Sequence, residues 1–250
     1  LRWVPRSGWC FESLGLTGRE ADDVAALEYW NAVLRAAPSA RIAPVQIGAF
    51  RVSTDSGYAR DRYLAAVENV IGRIDHGRCY QLNLCIRLHA QVNSTAPAVF
   101  GQLCDQLQPA FGGLVTGPRS GSHRQMITSF SPELFLRIRD RTVLTAPIKG
   151  TAPRRADGHG AAALRASAKD AAENVMIVDL MRNDLGRVAV TGSVAVPALN
   201  AVEEHPGLVH LVSTVQARLR RGVGWAGLLA ATFPPGSVTG APKVKAMEVI

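Results

Sequence analysis

Apolar side chains recur every three or four residues along several stretches of the chain, the spacing that places them on one face of a helix. In one stretch, Leu64, Val67 and Ile71 share such a face. The predicted helices cover residues 19–36, 58–74, 96–107, 161–184 and 225–231, with a last helix beginning near Ala241. Residues 161–184 contain no Gly or Pro, so a single long helix is predicted there.

Apolar and polar side chains alternate along residues 80–88, where Leu82, Leu84 and Ile86 fall on one side, and this predicts a half-buried strand. Further strands are predicted at residues 125–130, 134–138, 142–146 and 208–219, and a strand, turn and strand within 186–202. The turn-like Arg139-Asp140-Arg141 joins two of them into a hairpin. Loops rich in glycine and proline are predicted at 149–160 and 233–242.

Several of these strands follow one another without a helix between them. This order favours an α+β fold with antiparallel sheets over a doubly wound fold. The 250 residues suffice for one large domain or two small ones. Because Leu1 is not a methionine and Ile250 lies inside a predicted helix, we expect a fragment of a longer protein.

The composition, 47% hydrophobic and 19% charged, is typical of a globular protein and not of a disordered one. Neither a signal peptide nor an apolar run of about 18 residues is present, so no membrane-spanning segment is predicted. The four cysteines, Cys10, Cys79, Cys85 and Cys104, have no CxxC spacing. We therefore expect reduced thiols in a cytoplasmic protein.

The net charge is +8. Basic residues are spread along the whole chain and aromatic residues, at 6%, do not interleave with them. This distribution argues against nucleic-acid binding. A small dianionic substrate fits the positive charge better.

Two residues near the predicted hairpin could carry acid, base or nucleophilic chemistry. Lys149 follows a strand and precedes Gly150 and Thr151, whose backbone N–H and hydroxyl groups could bind a carboxylate. Most such lysines are ordinary surface residues, but a partly buried amine can act as a nucleophile. Glu133 immediately precedes the hairpin, which would bring it close to the Lys149 strand as a general acid or base.

Three further positions have both a structural and a functional interpretation. Asp170 and Glu173 are three residues apart on one helix face, which is typical of a solvated surface but also suits Mg²⁺. His210 lies on a predicted strand, where a lone histidine is more often structural than catalytic. The loop at 233–242 opens a helix whose first turn carries Lys243, an arrangement that can cradle an anion or simply cap the helix.

The ordered set of motifs resembles the chorismate-utilising enzymes. The motifs are Tyr80-Gln81-Leu82-Asn83-Leu84, Ser131-Pro132-Glu133-Leu134-Phe135-Leu136, Pro147-Ile148-Lys149-Gly150-Thr151, residues 173–184, His210-Leu211-Val212-Ser213, and Gly236-Ser237-Val238-Thr239-Gly240-Ala241-Pro242-Lys243. The resemblance implies an α+β fold of two large antiparallel β-sheets packed together with flanking helices, apparently truncated. It implies a chorismate-binding domain at 50–250, without its C-terminal part, and an N-terminal remnant of the same fold at 1–49.

Two positions separate the branches of this family. Isochorismate and salicylate synthases tend to carry a water-activating lysine where this chain has Gln81. Anthranilate synthases typically carry alanine in place of Lys149. The resemblance therefore implies the branch that aminates chorismate at ring carbon 4, giving 4-amino-4-deoxychorismate for 4-aminobenzoate and folate biosynthesis.

The family mechanism implies a role for each candidate residue. Lys149 attacks ring carbon 2, Glu133 donates a proton to the departing 4-hydroxyl, and ammonia from a glutamine amidotransferase partner then expels Lys149. Mg²⁺ near Asp170 and Glu173 holds the ring carboxylate, and His210 lies near the ring. The substrate-binding residues implied are Gln81, Gly150, Thr151, Gly240, Ala241 and Lys243.

One departure from the family lies in the loop before Lys243. The chain has Pro235 where relatives usually carry glycine, which removes a backbone donor and stiffens the loop. Two alternatives to the amination branch stay open: anthranilate synthase, and a non-catalytic module that binds a ligand or a partner.

Overall fold

A computed structural model describes residues 2–4, 8–10, 24–25, 28–29, 31–32, 35, 44–49, 51–52, 60–120 and 123–249. The strands are β1 (Arg2–Val4), β2 (Gly8–Cys10), β3 (Arg51–Val52), β4 (Gln81–Leu82), β5 (Leu88–His89), β6 (Phe111–Ser120), β7 (His123–Ser131), β8 (Leu134–Arg139), β9 (Thr142–Ala146), β10 (Ile148–Pro153), β11 (Ala195–His205), β12 (Leu208–Arg218) and β13 (Gly240–Ala241). The helices are α1 (Arg60–Asp75), α2 (Ala96–Leu107), α3 (His159–Ala166), α4 (Ala168–Gly186), α5 (Trp225–Thr232), α6 (Gly236–Thr239) and α7 (Lys243–Val249).

The chain divides into a small unit, Leu1–Ala43, and a large one, Pro44–Ile250. In the small unit β1 and β2 form an antiparallel pair. Several of its described positions between residues 24 and 35 are helical. They fall within the helix predicted at 19–36, most of which lies outside the described residues.

The large unit is built on a five-stranded antiparallel sheet with β12 in its middle. One edge of β12 pairs with β11, and the other pairs first with β10 and then with β9, which continues to β8. The described residues also form four two-stranded antiparallel pairs. The α+β class with antiparallel sheets and flanking helices is confirmed.

The core lies between β12 and α4. Val215 and Ala217 project from one face of β12, and they meet Ile177, Met181 and Leu185, which recur every fourth residue on α4. All five are at most 2% exposed. Because α4 is fixed against this face of the sheet, the polar residues of its first turns are held against the same face near β10.

Several elements follow the sequence closely. The predicted helix 96–107 coincides with α2, which begins at an N-cap threonine, Thr95, and the predicted strand 142–146 coincides with β9. The predicted turn is present at Asp140, whose φ of 57° is left-handed. In the described residues no helix is both long and apolar enough to cross a membrane.

The strand predicted at 80–88 is wrong in length. Only Gln81–Leu82 and Leu88–His89 are strand, and Ile86 and Leu88 are 44% and 51% exposed. The regular pairing stops at Asn83, whose backbone N–H donates to Thr239 O (2.9 Å) and whose side-chain Nδ2 donates to Ser237 O (2.6 Å). Carbonyl groups of the short helix α6, and not those of a neighbouring strand, therefore accept the hydrogen bonds of Asn83.

The single helix predicted at 161–184 is also wrong, because it breaks at Ser167. That residue is extended and its hydroxyl accepts a hydrogen bond from Asp170 N (3.2 Å), which makes it the N-cap of α4. Serine offers the backbone this alternative bond, so a helix ends and a new one begins without Gly or Pro.

Two strands of the structure were not predicted from the pattern of apolar and polar residues. The predicted loop at 149–160 begins with β10, which extends the sheet to Pro153. β6 was not predicted, because its Gly112, Gly113 and Gly117 hide the alternation of apolar residues, yet it forms a long antiparallel pair with β7. In the stretch 186–202, the first predicted strand is reduced to one bridge between Ala189 and Leu219.

Candidate active site

A β-bulge in β10 sets the direction of Lys149. Lys149 pairs with Leu211 and Thr151 pairs with His210, so Gly150 is the extra residue, and its φ of 79° is left-handed. Cross-strand partners share a face of the sheet, and Leu211 and His210 are consecutive. The bulge therefore sends Lys149 to the face covered by α4 and Thr151 to the opposite face.

Gly150 packs directly against the start of α4. A Cβ at this position would lie 3.0 Å from Asp170 Cβ and 3.1 Å from Leu164 Cδ2, closer than side chains normally approach. Only glycine combines the positive φ with this contact. The strand that carries Lys149 is thus held against the helix that carries the two predicted metal carboxylates.

Glu133 stands at the entrance of β8, in a turn closed by Ser131, whose Oγ accepts a hydrogen bond from Glu133 N (3.1 Å). Burial raises the pKa of Glu133 above its ordinary value of 4.5. Hydrogen bonds from Ser237 and from the backbone of Ile148, together with the charge of Lys149, oppose this rise without cancelling it. The site therefore pairs a carboxyl group that keeps its proton unusually well with a nearby amine.

Replacement of Glu133 by glutamine is expected to raise stability at neutral pH. Because the folded-state pKa of Glu133 is raised, its contribution to stability is fully present below about pH 4.5 and is lost as the pH rises through the folded-state value. Glutamine keeps the shape without this loss. Urea unfolding from pH 4 to 8 should show a variant whose advantage over the parent grows with pH.

Glu248→Gln is the matched control, because this carboxylate is 55% exposed. It should change the free energy of unfolding by less than about 1 kcal/mol. Parallel curves for Glu133→Gln and the parent across the range would contradict the assigned rise in the pKa of Glu133.

The second glycine loop, residues 233–242, pairs with β4 through its short strand β13. Gly240 pairs with Leu82 and Ala241 pairs with Gln81, and Tyr80 N donates to Ala241 O (2.7 Å). A Cβ on Gly240 would lie 2.2 Å from Gln81 O, so a side chain cannot be placed there. Gln81 Oε1 is a buried acceptor without a donor in the described part of the chain, which leaves it available to a ligand.

Pro235, the departure from the family pattern, fits this loop. Its φ of −64° is the value that proline prefers, and it occupies the N-cap of α6. Its carbonyl accepts a hydrogen bond from Val238 N (3.1 Å). At this position the short helix uses the carbonyl group of the residue as an acceptor, so the absence of a backbone N–H on Pro235 is tolerated.

Lys243 has its ammonium engaged by two groups of the protein, and its role in substrate binding stays a prediction. Its Nζ is paired with Asp184 Oδ2 and donates to Thr232 O (2.9 Å), and both charged side chains are buried, 11% and 6% exposed. The ammonium therefore satisfies a carboxylate of α4 and the last turn of α5, where the helix dipole favours a cation.

His210 lies on the face of the sheet opposite Lys149. It is buried, and its Nδ1 is 2.9 Å from Thr151 Oγ1, while its ring centroid is 5.0 Å from that of His205. Burial and then the neighbouring His205 lower the pKa of His210. The structure thus pairs His210 with Thr151 and does not bring either side chain to the Lys149 face.

Asp170 and Glu173 lie one turn apart on α4, both half-buried. Glu173 has Lys169 Nζ 3.8 Å away and is 35% exposed. Within the described ranges, no group of three or more His, Cys, Asp or Glu side chains could hold a metal ion. Two carboxylates nevertheless fit Mg²⁺, which commonly takes one or two from the protein and completes its shell with substrate oxygens and water.

Three polar residues of the site were not among the predicted site residues. Ser237 reaches Glu133, Asn83 supports Ser237, and Asn174 is fully buried with its Nδ2 donating to Leu211 O (3.0 Å). Each lies inside a motif that the sequence singled out. Asn83 and Asn174 bind partners that lie 154 and 37 residues away along the chain, so no local pattern could identify these contacts.

Comparison with known proteins gives consistent matches. The family profile described as chorismate binding enzyme matches residues 12–250. Aminodeoxychorismate synthase component 1 of Escherichia coli K12 is 44% identical over 207 residues, which cover 80% of this chain and 45% of that relative. Anthranilate synthase component 1 of Thermus thermophilus is 34% identical over 238 residues, covering 93% of this chain and 50% of that relative.

A solved structure agrees with these matches. Anthranilate synthase component I from Streptococcus pneumoniae superimposes with a TM-score of 0.74 at 27% identity, covering 93% of this chain and 51% of that one. The chain spans about half the length of the relatives that it matches.

Proposed function

The chain belongs to the chorismate-binding enzymes, and on that basis we propose that the full-length protein aminates chorismate at ring carbon 4 to give 4-amino-4-deoxychorismate. The observation that carries the proposal is the closeness of Lys149 to Glu133, where the charge of the lysine acts on the carboxyl group. An amine and a carboxyl group that keeps its proton are the two groups that a stepwise displacement of a hydroxyl requires.

The reaction proceeds in two displacements. The amine of Lys149, in its deprotonated form, attacks ring carbon 2, the two conjugated ring double bonds shift, and the 4-hydroxyl leaves as water with a proton from Glu133. Ammonia then adds at carbon 4, the two double bonds shift back, and the bond from carbon 2 to Lys149 breaks with its electron pair returning to the amine. The nitrogen added at carbon 4 loses a proton, which restores the acid form of Glu133. Chorismate and ammonia thus give 4-amino-4-deoxychorismate and water, and the enzyme is regenerated.

Asp170 and Glu173 are the residues that would hold Mg²⁺. The ion would supply positive charge for the substrate carboxylate. Gly150, which touches Asp170, offers its backbone beside that position. Gln81, with its free buried oxygen, and the backbone of Gly240 and Ala241 would bind another part of the substrate.

Ammonia is proposed to come from a glutamine amidotransferase partner. The designation of the relatives as component 1 supports a second component. The free thiols of Cys79, Cys85 and Cys104 support a reducing compartment, the cytoplasm.

Anthranilate synthase is the second candidate. It is favoured by relatives of that activity that align along 93% of this chain. Lys149 counts against this candidate, because in the family pattern anthranilate synthases typically carry alanine at that position. The two candidates differ in product and are separable by one assay.

Incubation of the full-length protein with chorismate, Mg²⁺ and a high concentration of ammonium should yield 4-amino-4-deoxychorismate, detected by chromatography with mass spectrometry. Removal of Mg²⁺ with EDTA should abolish the product, and added Mg²⁺ should restore it. Anthranilate as the product would move the protein to the second candidate. Chorismate binding without any product would support the non-catalytic module.

A further inference from the structure

The turn that ends α1 brings two arginines to the same place. Gly77 follows the helix with a left-handed φ of 71°, and its N–H donates to Ile74 O (2.8 Å). The N–H of Arg78 donates to Arg73 O (2.9 Å). These two bonds form a Schellman motif, in which the chain turns back over the last turn of its helix. Arg78 therefore returns beside Arg73, although it lies five positions later in the sequence.

Both arginines line a cavity of about 790 Å³ between the end of α1 and α7. Sites for small molecules commonly have volumes of about 300–1,000 Å³. From α7 the cavity receives Lys245 and Glu248, whose charged groups pair with each other, Nζ to Oε2, at 2.7 Å. Because that pair is neutral as a whole, the net positive charge of the lining comes from Arg73 and Arg78.

Both guanidinium groups keep free donors. Arg73 Nε donates to Asn69 Oδ1 (2.8 Å), and this bond orients the group. In the part of the chain that the structure describes, no group binds the terminal nitrogens of Arg73 or the guanidinium of Arg78. Arginine presents parallel N–H groups that match two oxygens of a phosphate or a carboxylate. The cavity is thus equipped for an oxyanion.

His76, in the same cavity, favours phosphate over carboxylate. Its Nδ1 is 2.5 Å from Gly72 O, and because a carbonyl oxygen only accepts, Nδ1 carries the hydrogen. Nε2 therefore accepts a hydrogen bond when the ring is neutral and donates one when the ring is protonated. A phosphate monoester exchanges its second proton at a pH of about 6 and matches both states of the ring, whereas a carboxylate matches only the protonated one.

We propose that this cavity binds the phosphate group of a small molecule. Arg73 and Arg78 donate charge-assisted hydrogen bonds to it, and His76 shares a hydrogen with a further oxygen. A free phosphate ion fills only part of the volume, so the proposed ligand is a phosphate monoester. The described lining of the cavity includes neither Lys149 nor Glu133, so this site is separate from the predicted amination site and does not depend on the proposed function.

The test is titration of the full-length protein with phenyl phosphate in about 0.15 M NaCl, which screens attraction between exposed charges beyond about 8 Å. The Nε–Hε NMR signals of Arg73 and Arg78, assigned with the glutamine variants, should shift along one saturable curve. Arg73→Gln and Arg78→Gln should each weaken binding by about tenfold or more, because each removes a charge-assisted hydrogen bond. Succinate, a dianion without an O–H group, should bind about tenfold more weakly than phenyl phosphate.

Arg165→Gln is the matched control, because Arg165 is an exposed arginine in the last turn of α3 and does not line the cavity. It removes the same charge and should leave the affinity for phenyl phosphate within about twofold. Equal losses of affinity for Arg78→Gln and Arg165→Gln would overturn the proposal in favour of general attraction to a basic protein. So would an absence of saturable shifts at the two arginines, or equal affinities for succinate and phenyl phosphate.

Discussion

Lys149→Ala is expected to lower kcat for amination of chorismate by about a thousandfold or more, because it removes the nucleophile and leaves binding and charge stabilisation in place. The β10 bulge directs Lys149 to the α4 face, and no other described lysine is placed beside Glu133 to replace it. The measurement is product formation at saturating chorismate and ammonium.

Lys245→Ala is the control, because Lys245 is 58% exposed and pairs with Glu248 on α7. A covalent step can also be observed directly. With chorismate and no ammonia, the parent should gain the mass of chorismate less water, and Lys149→Ala should gain nothing. A variant that keeps the parental rate would exclude Lys149 as the nucleophile.

Lys243→Met is expected to have the largest effect on stability, a loss of about 3–5 kcal/mol in the free energy of unfolding. Methionine has a similar length but leaves the buried carboxylate of Asp184 without its cation. Burial raises the pKa of Asp184, and the hydrogen bond and charge of Lys243 oppose this rise. Without Lys243 the charged form is favoured still less.

The pH dependence of this loss has a definite sign. A raised folded-state pKa means that folding takes up protons, so the variant should recover stability as the pH falls and lose it as the pH rises above about 3.8. Urea unfolding measures both quantities. Adding Asp184→Leu to Lys243→Met should recover much of the loss, since no charge then stays buried.

The control lies on the same helix. Lys245 and Glu248 form an exposed ion pair at 2.7 Å, and Lys245→Met should change the free energy of unfolding by less than about 1 kcal/mol. An equal loss for Lys243→Met and Lys245→Met would show that the Asp184 pair is not buried in the way described.

Elements with local signals were predictable from the sequence. Thr95 accepts a hydrogen bond from Ala98 N at the start of α2, and a proline occupies the first turn. These neighbouring residues determine where the helix begins. The motifs also named Glu133, Lys149 and Asp170, which the structure places near one another in one unit, while their roles stay predictions. These residues lie near one another because the elements that carry them follow closely along the chain.

Features that depend on distant partners were not predictable. Nothing local in the sequence indicates that Lys243 pairs with Asp184, 59 residues earlier. The opposite directions of Lys149 and Thr151 depend on one extra residue in β10, because alternation alone would place them on the same face. Register is a property of the pair of strands and not of either strand alone.

The contact of Lys243 with Thr232 has a consequence for how this loop can change. The residues from 233 to 242 run between the two ends of that contact, while Gly240 and Ala241 are in fixed register with β4. Only Pro242 lies between Ala241 and Lys243, so a residue inserted there would move Lys243 away from Thr232 or shift the register of β13. This short stretch therefore ties the pairing with β4 to the burial of the Lys243 ammonium.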